Sequence, residues 1–253
     1  QQPWIEDPSN QNDQFQRVQA RKFLADQGES VDIAKRLSET ADRFQRVKRF
    51  LDRLVDGFFR DHTQTHPEGW VVFDLAAYKD LDEELALRVL TRLCRAIGGQ
   101  VYPPRLAKTA HLWRQLLSVD FKAATLSGTK FMSGDGGTIT VMREAGRLDH
   151  RLDLNETTSE QPFLWDNRFL CCFKKDAGQG MSLSALGQEG VLALKERFGD
   201  DHACWAVPRD VLMALPALWQ NGHLQAVGLI DHGAFLDSVS FAPLNPLMKE
   251  INR

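Results

Sequence analysis

Apolar residues recur at a seven-residue spacing through Leu37, Phe44, Leu51 and Phe58, with Val47 and Leu54 at the intervening positions. That period keeps one stripe of an α-helix apolar. It predicts a helix of roughly thirty residues, opened by Ser30 as N-cap and packed along one seam in a bundle, its arginines and lysines solvated. A free-standing coiled-coil dimer is the alternative that the same spacing allows.

The pattern on either side is shorter in range. Residues 1–12 hold two prolines among Asn, Gln and Asp, which is turn chemistry at Asp7-Pro8 and Ser9-Asn10. Residues 13–27 predict a short helix between Asp13 as N-cap and Gly28. Its Arg17 and Arg21, four apart, leave one face. Residues 70–73, after Gly69, read as a strand. Residues 80–97 predict a second helix with Leu85, Val89, Leu93 and Ile97 inward, stopped by Gly98-Gly99. On it Arg88, Arg92 and Arg95 form a stripe away from that seam. Pro103-Pro104 introduces a third helix over residues 105–117, which adds Arg105, Lys108, His111 and Arg114.

Beyond Ser118 the texture becomes β-like. Residues 125–132 and 138–144 flank Ser133-Gly-Asp-Gly-Gly137, and residues 163–173 read as one strand. A helix is expected over 184–197, then a mixed tail through 215–219 and 225–230. The expected fold class is α+β: an N-terminal helical domain, made of the long helix, the basic helices and a short strand, followed by a mixed α/β C-terminal domain with antiparallel hairpins. The divisions expected are 1–29 as a junction segment, 30–120 and 121–253.

Composition narrows the chemistry. The chain has 253 residues, 43% hydrophobic and 26% charged, an ordinary globular composition. No apolar run approaches the ~18 residues of a membrane span. Four cysteines, none in a C-x-x-C pair, point to buried thiols in a reduced, cytoplasmic setting. The net charge of −3 hides a segregation: residues 61–84 carry seven acids and one cation, whereas 85–119 carry six cations and no acid. Solvated helices usually interleave signs, so the second block predicts a phosphate-facing surface. No RRM-type aromatic platform accompanies it, so shape and backbone contacts would carry recognition.

Other constellations resolve to plainer readings. A phosphate loop needs a glycine turn feeding a helix N-terminus, but Ser133–Gly137 is followed by Thr138-Ile-Thr-Val-Met142, which makes it a hairpin. No G-x-x-x-x-G-K-[S/T] or G-x-G-x-x-G sequence is present. His62 and His66 have metal-pair spacing but precede Pro67, and the glutamate of H-E-x-x-H is missing, so a solvated loop is expected. Cys204 beside His202 suggests a buried strand rather than a nucleophile and base, and no G-x-S-x-G elbow exists.

The segment Trp4-Ile-Glu-Asp-Pro-Ser-Asn10, followed by Phe15, Arg17 and Arg21, reads as internal to a longer chain. It resembles the W-x-E-D-P-S-N segment and spaced arginines of bacterial tRNA(Ile)-lysidine synthetase, a PP-loop ATPase family, in the part downstream of the catalytic domain. Thr138-Ile-Thr-Val-Met-Arg-Glu144 and Leu215-Pro-Ala-Leu-Trp219 are weaker echoes. The resemblance implies an ATP-dependent ligase that joins lysine to the wobble cytidine of tRNA(Ile). It implies a missing N-terminal domain holding ATP and magnesium, a helical middle domain and a tRNA-gripping C-terminal domain. The family's S-G-G-x-D-S signature is absent, so no catalytic residue, cofactor or metal is assigned to this chain, and it is expected to be inactive alone. Asp7, Ser9 and Asn10 would order the junction at the active-site rim, and Arg17 and Arg21 would face RNA phosphate. Where many members have Arg-Asn, this chain has Arg17-Val18, so no asparagine role transfers. The partners implied are tRNA, with lysine and ATP through the missing domain, and no membrane; the cations at 88, 92, 95, 105, 108 and 114, with His111, would contact tRNA. A protein-interaction module that touches no nucleic acid is the other reading, in which those cations would pair with acids of 61–84.

Overall fold

A computed structural model describes residue 19 and residues 30–148, 150–154, 161–174 and 180–248. The chain divides into two compact units, Gln1–Arg53 and Leu54–Arg253. The helix predicted from the seven-residue period is present as α1, Ser30–His62. Its seam is not packed as expected. Leu37, Phe44, Val47 and Phe50 are exposed, Phe44 by 70%, and only Val55, Phe58 and Phe59 of the last turns enter a core. Periodicity fixes which face of a helix is apolar and leaves open what covers it.

In the second unit α1 leads into a five-stranded antiparallel sheet in the order β1-β2-β5-β4-β3. Its strands are β1 Thr63–His66, β2 Trp70–Asp74, β3 Ala123–Leu126, β4 Thr129–Ser133 and β5 Thr138–Arg143. Three expectations change here. Residues 63–66, expected as a loop, form β1, whose Thr63 and Thr65 pair with Phe73 and Val71; β-branched residues suit that pleat. The turn at Gly69 (φ +78) closes this hairpin, and a Cβ there would lie 2.8 Å from the Phe169 ring. Residues 125–132, read as one run, fold back on themselves, because Ser127 (φ 49) and Gly128 (φ 72) make a two-residue turn of left-handed backbone. The predicted hairpin at Ser133–Gly137 is present and pairs β4 with β5.

Three helices accompany this sheet. Asp74 caps α2, Leu75–Lys79, by accepting from the amides of Ala76 and Ala77. α3 is Glu83–Ala96, so the helix expected over 80–97 starts slightly late, with Glu83 and Glu84 in its first turn, where the helix end is positive. α4 is Leu106–Leu117. Their inward residues Leu90, Leu93, Leu112 and Leu116 form one core with Val71, Phe73, Phe131, Ile139 and Val141 of the sheet. Each such side chain contributes about 1.5–3 kcal/mol by leaving water.

The rest of the unit holds a second core between two smaller sheets, β11-β10-β9-β6 and β12-β8-β7. These are β6 Leu152–Asp153, β7 Phe163–Trp165, β8 Phe169–Phe173, β9 Met181–Ala185, β10 Pro216–Gln220, β11 His223–Val227 and β12 Leu236–Phe241. Residues 163–173 are therefore two strands and not one. Asp166 (φ 49) and Asn167 (φ 54) turn the chain between β7 and β8. The predicted helix near 184–197 is α5, Gly187–Phe198, and α6 spans Arg209–Met213. Cys204 lies in a 3-10 turn and not in a strand, its amide donating to His202 Nδ1 at 3.2 Å. The α+β class holds, with antiparallel pairing throughout the described strands.

Candidate nucleic-acid interface

The seven expected tRNA contacts fall on two helices that differ in what they leave free. On α3 the apolar face through Ala86, Val89, Leu90 and Leu93 is buried, which turns Arg88, Arg92 and Arg95 toward the helix flanks. All three are engaged within the chain. Arg88 pairs with Glu84 at 2.7 Å, one turn back. The Arg92 guanidinium donates to the Asp56 carboxylate and, at 3.0 Å, to the Leu247 carbonyl; the two side chains are only 11% and 16% exposed. Arg95 donates to the Val101 carbonyl at 3.0 Å and to Asn245 Oδ1. Arg92 and Arg95 thereby fasten residues 245–247 to α3.

α4 presents the opposite case. Thr109, Leu112 and Leu116 face the core. Arg105, Lys108, His111 and Arg114 are exposed, and their side chains have no hydrogen-bond or ion-pair partner among the described residues. Tyr102, just upstream, is 81% exposed. Three unpaired cations, at positions 105, 108 and 114, with His111 between the last two, follow a three-residue step round one side of a short helix, which suits successive phosphates of a strand. Asp7, Ser9, Asn10, Arg17 and Arg21 lie outside the described residues.

The largest buried polar group was not legible in the sequence. Asp166, in the β7–β8 turn, accepts from Arg143 Nε at 3.0 Å and Nη2 at 3.2 Å, and from Arg168 Nε at 2.6 Å. Arg143 also donates to the Gly128 carbonyl at 2.9 Å and Arg168 to that of Ala214 at 2.9 Å. Burial pulls the Arg168 guanidinium down to about 10, against the upward effect of Asp166. Asn167 Nδ2 donates to the Gly99 carbonyl at 2.9 Å, and a Cβ at Gly99 would meet the Asp166 carbonyl at 2.3 Å. The node thus ties the five-stranded sheet and the end of α3 to the second core. Its donors are taken up by internal acceptors, which makes it a fastening. The only signal in the sequence was Asp166-Asn167, a pair that tolerates left-handed backbone.

The histidine pair serves packing: His66 stacks on Trp70 with ring centroids 3.7 Å apart, and His62 lies 5.7 Å from Phe58. Among the described residues no three His, Cys, Asp or Glu side chains cluster to hold a metal ion, and no helix is long and apolar enough to cross a membrane.

No protein-family model matches the chain. Individual proteins do. It is 30% identical over 227 residues to the tRNA(Ile)-lysidine synthase of Wolbachia pipientis wMel, covering 88% of this chain and 50% of that protein. The tRNA(Ile)-lysidine synthase of Ruegeria pomeroyi is 28% identical over 226 residues, 89% of this chain and 50% of the relative. That of the Wolbachia of Brugia malayi is 26% identical over 233 residues, 90% and 51% respectively. The chain spans about half the length of the curated relatives it matches. The resemblance carried by Trp4–Asn10 and its arginines extends over most of the sequence: the chain is similar to tRNA(Ile)-lysidine synthases over 88–90% of its own length.

Proposed function

We propose that this chain is the tRNA-gripping part of a tRNA(Ile)-lysidine synthase, and that Arg105, Lys108 and Arg114 of α4 contact RNA phosphates. The observation that carries the proposal is the set of exposed, unpaired cations on α4 within a stretch, 85–119, that has no acid. The relatives' names supply the nucleic acid. The whole protein would ligate lysine to the wobble cytidine with ATP and magnesium held outside this sequence. The S-G-G-x-D-S signature is missing here, so the chain alone would bind without catalysing. Of the cations offered by the sequence, Arg92 and Arg95 are better read as fasteners of the fold than as phosphate contacts.

The test is tRNA binding by the chain across a salt series. Neutralising Arg105, Lys108 and Arg114 together to alanine should weaken binding and lower the slope of log K against log salt by roughly three, one per lost phosphate contact. An unchanged slope sinks the assignment. The competing reading, a module that scaffolds a protein, draws support from the exposed seam of α1 and from the pairing of Arg88 with Glu84. That reading expects the triple variant to bind its partner normally and tRNA not to bind at all.

A further inference from the structure

Two bare apolar surfaces of the chain complement each other. The first is the seam of α1 ahead of Leu54. Its Leu37, Phe44, Val47 and Phe50 are 49–70% exposed, and a contiguous apolar stripe left in water marks an interaction surface. Residues 33–53 are also basic, with seven cations and three acids. The second surface is a groove of about 410 Å³ where the last turns of α1 meet α2 and the start of α3. Leu54, Phe58, Leu81 and Leu85 line it, together with Asp61 and Asp80. Residues 54–85, which build the groove, carry eight acids and two cations. Asp61 pairs with the neighbouring Arg60 at 2.8 Å, an exposed contact of little worth. Asp80 has no ion-pair partner among the described residues.

A single chain cannot use the one to fill the other. α1 is one uninterrupted helix from Ser30 to His62, and a rise of ~1.5 Å per residue keeps its Phe44 about 21 Å from its Phe58 along the axis. A separate molecule has to bring an apolar, basic helix to the acidic groove, and a second copy carries one. The flanking charges then set the orientation. On the seven-residue period Leu37, Phe44, Leu51 and Phe58 share one core position and Val47 and Leu54 the other, which leaves Arg43 and Lys48 on opposite flanks. In a parallel pair Arg43 of one helix faces Lys48 of the other, and like charges placed together oppose association. Reversing one helix separates them. It also stacks Phe44 on Val47 and Leu37 on Leu54 of the second copy, and lays the start of each α1 over the groove of the other.

We propose that α1 is the interface of a closed two-fold dimer, in which two α1 helices lie antiparallel and the basic seam of each copy fills the acidic groove at Phe58 of the other. The same patch serves both copies, so the assembly ends at two. A few side chains from each copy make a small interface, and its occupancy follows concentration. In the separated chain Phe44 stays bare, so its replacement acts on association and not on the unfolding of the monomer. The inference does not depend on whether α4 holds RNA.

The experiment is sedimentation velocity of the full chain over a concentration series, which should show monomer converting to dimer and to nothing larger. Phe44→Glu, at an exposed position, should keep the circular dichroism of the parent chain and remain monomeric across the series. Asp80→Lys reverses a charge at the groove and should weaken association several-fold. Disulfide trapping reads the orientation. Leu37→Cys combined with Leu54→Cys should give a covalent dimer on air oxidation, above the background set by the parent chain, whose Cys172 is half-buried. Leu37→Cys alone should give none, because antiparallel helices in this register hold the two copies of that position about 25 Å apart. A chain that stays monomeric at every concentration leaves the seam to a different protein and overturns the proposal. So do a dimer that survives Phe44→Glu, growth beyond two copies, and trapping through Leu37→Cys alone, which reports a parallel pair.

Discussion

At the scale of single residues, the fold depends on a few buried groups whose partners lie far along the chain. Asp166 is the sole carboxylate bonded to Arg143 and Arg168 among the described residues, and all three are buried. Removing one partner of such a group leaves charge stranded in a poor solvent. Asp166→Ala should therefore cost about 3–5 kcal/mol in urea unfolding, and a cost below about 1 kcal/mol, the size of an exposed pair, contradicts this role. Two thiols add a pH dependence. Burial pushes Cys94 and Cys171 up to about 12. Unfolded thiols ionise near 8.5, so the folded chain holds more protons above that pH. Their contribution to stability is whole below about 8.5 and is lost as pH rises toward 12. Replacing both with alanine should flatten the alkaline fall in urea midpoint, and an identical fall in the variant refutes it. None of this was legible in the sequence beyond the turn pair Asp166-Asn167, because the Arg143 contact is made across 23 positions and only the tertiary fold creates it.

At the scale of elements, periodicity was informative where the signal was long and local. The seven-residue pattern located α1 almost to its ends, and Gly98-Gly99 located the end of α3. What failed was the partner of α1's seam, and the pairs of short strands joined by two-residue turns. Ser127-Gly128 and Asp166-Asn167 each hide inside a stretch that reads as one continuous strand, since a hairpin of two short strands has the same alternation as one long strand. Asn221-Gly222, between β10 and β11, is by contrast an explicit two-residue hairpin signal. The two ends of the α1 seam make a contrast that mutagenesis can check. Phe44 is exposed by 70% and Phe58 by 4%. Phe44→Ala should change stability by less than about 0.5 kcal/mol, as surface substitutions do, whereas Phe58→Ala should cost about 3–5 kcal/mol. Thermal unfolding of the two variants decides it; comparable losses would mean that the Phe44 side of the seam is covered in solution.

At the scale of the whole molecule, the proposed RNA contact has to be reconciled with a net charge of −3. The sequence showed the charge separation, and the fold then divided the cations by task. Arg92 is spent on Asp56 and Leu247 and Arg95 on Val101 and Asn245, while Arg105, Lys108 and Arg114 remain unpaired among the described residues. One-dimensional spacing could not separate these groups, because both lie on helix faces away from an apolar seam. Which arginine meets an acid or carbonyl depends on chain that arrives from as far as residue 247. The division predicts opposite signatures for equal changes of charge. Arg92→Ala should lower stability by about 3 kcal/mol by removing its partly buried pair with Asp56 and its bond to the Leu247 carbonyl, and leave the salt slope of tRNA binding intact so long as the chain is folded. Arg105→Ala should leave the melting temperature where it was and reduce that slope by about one. Measured side by side, the two variants separate a cation that builds the surface from one that uses it. If both altered the slope alike, α3 would share the interface and the intramolecular pairs of Arg92 would have to open when RNA arrives.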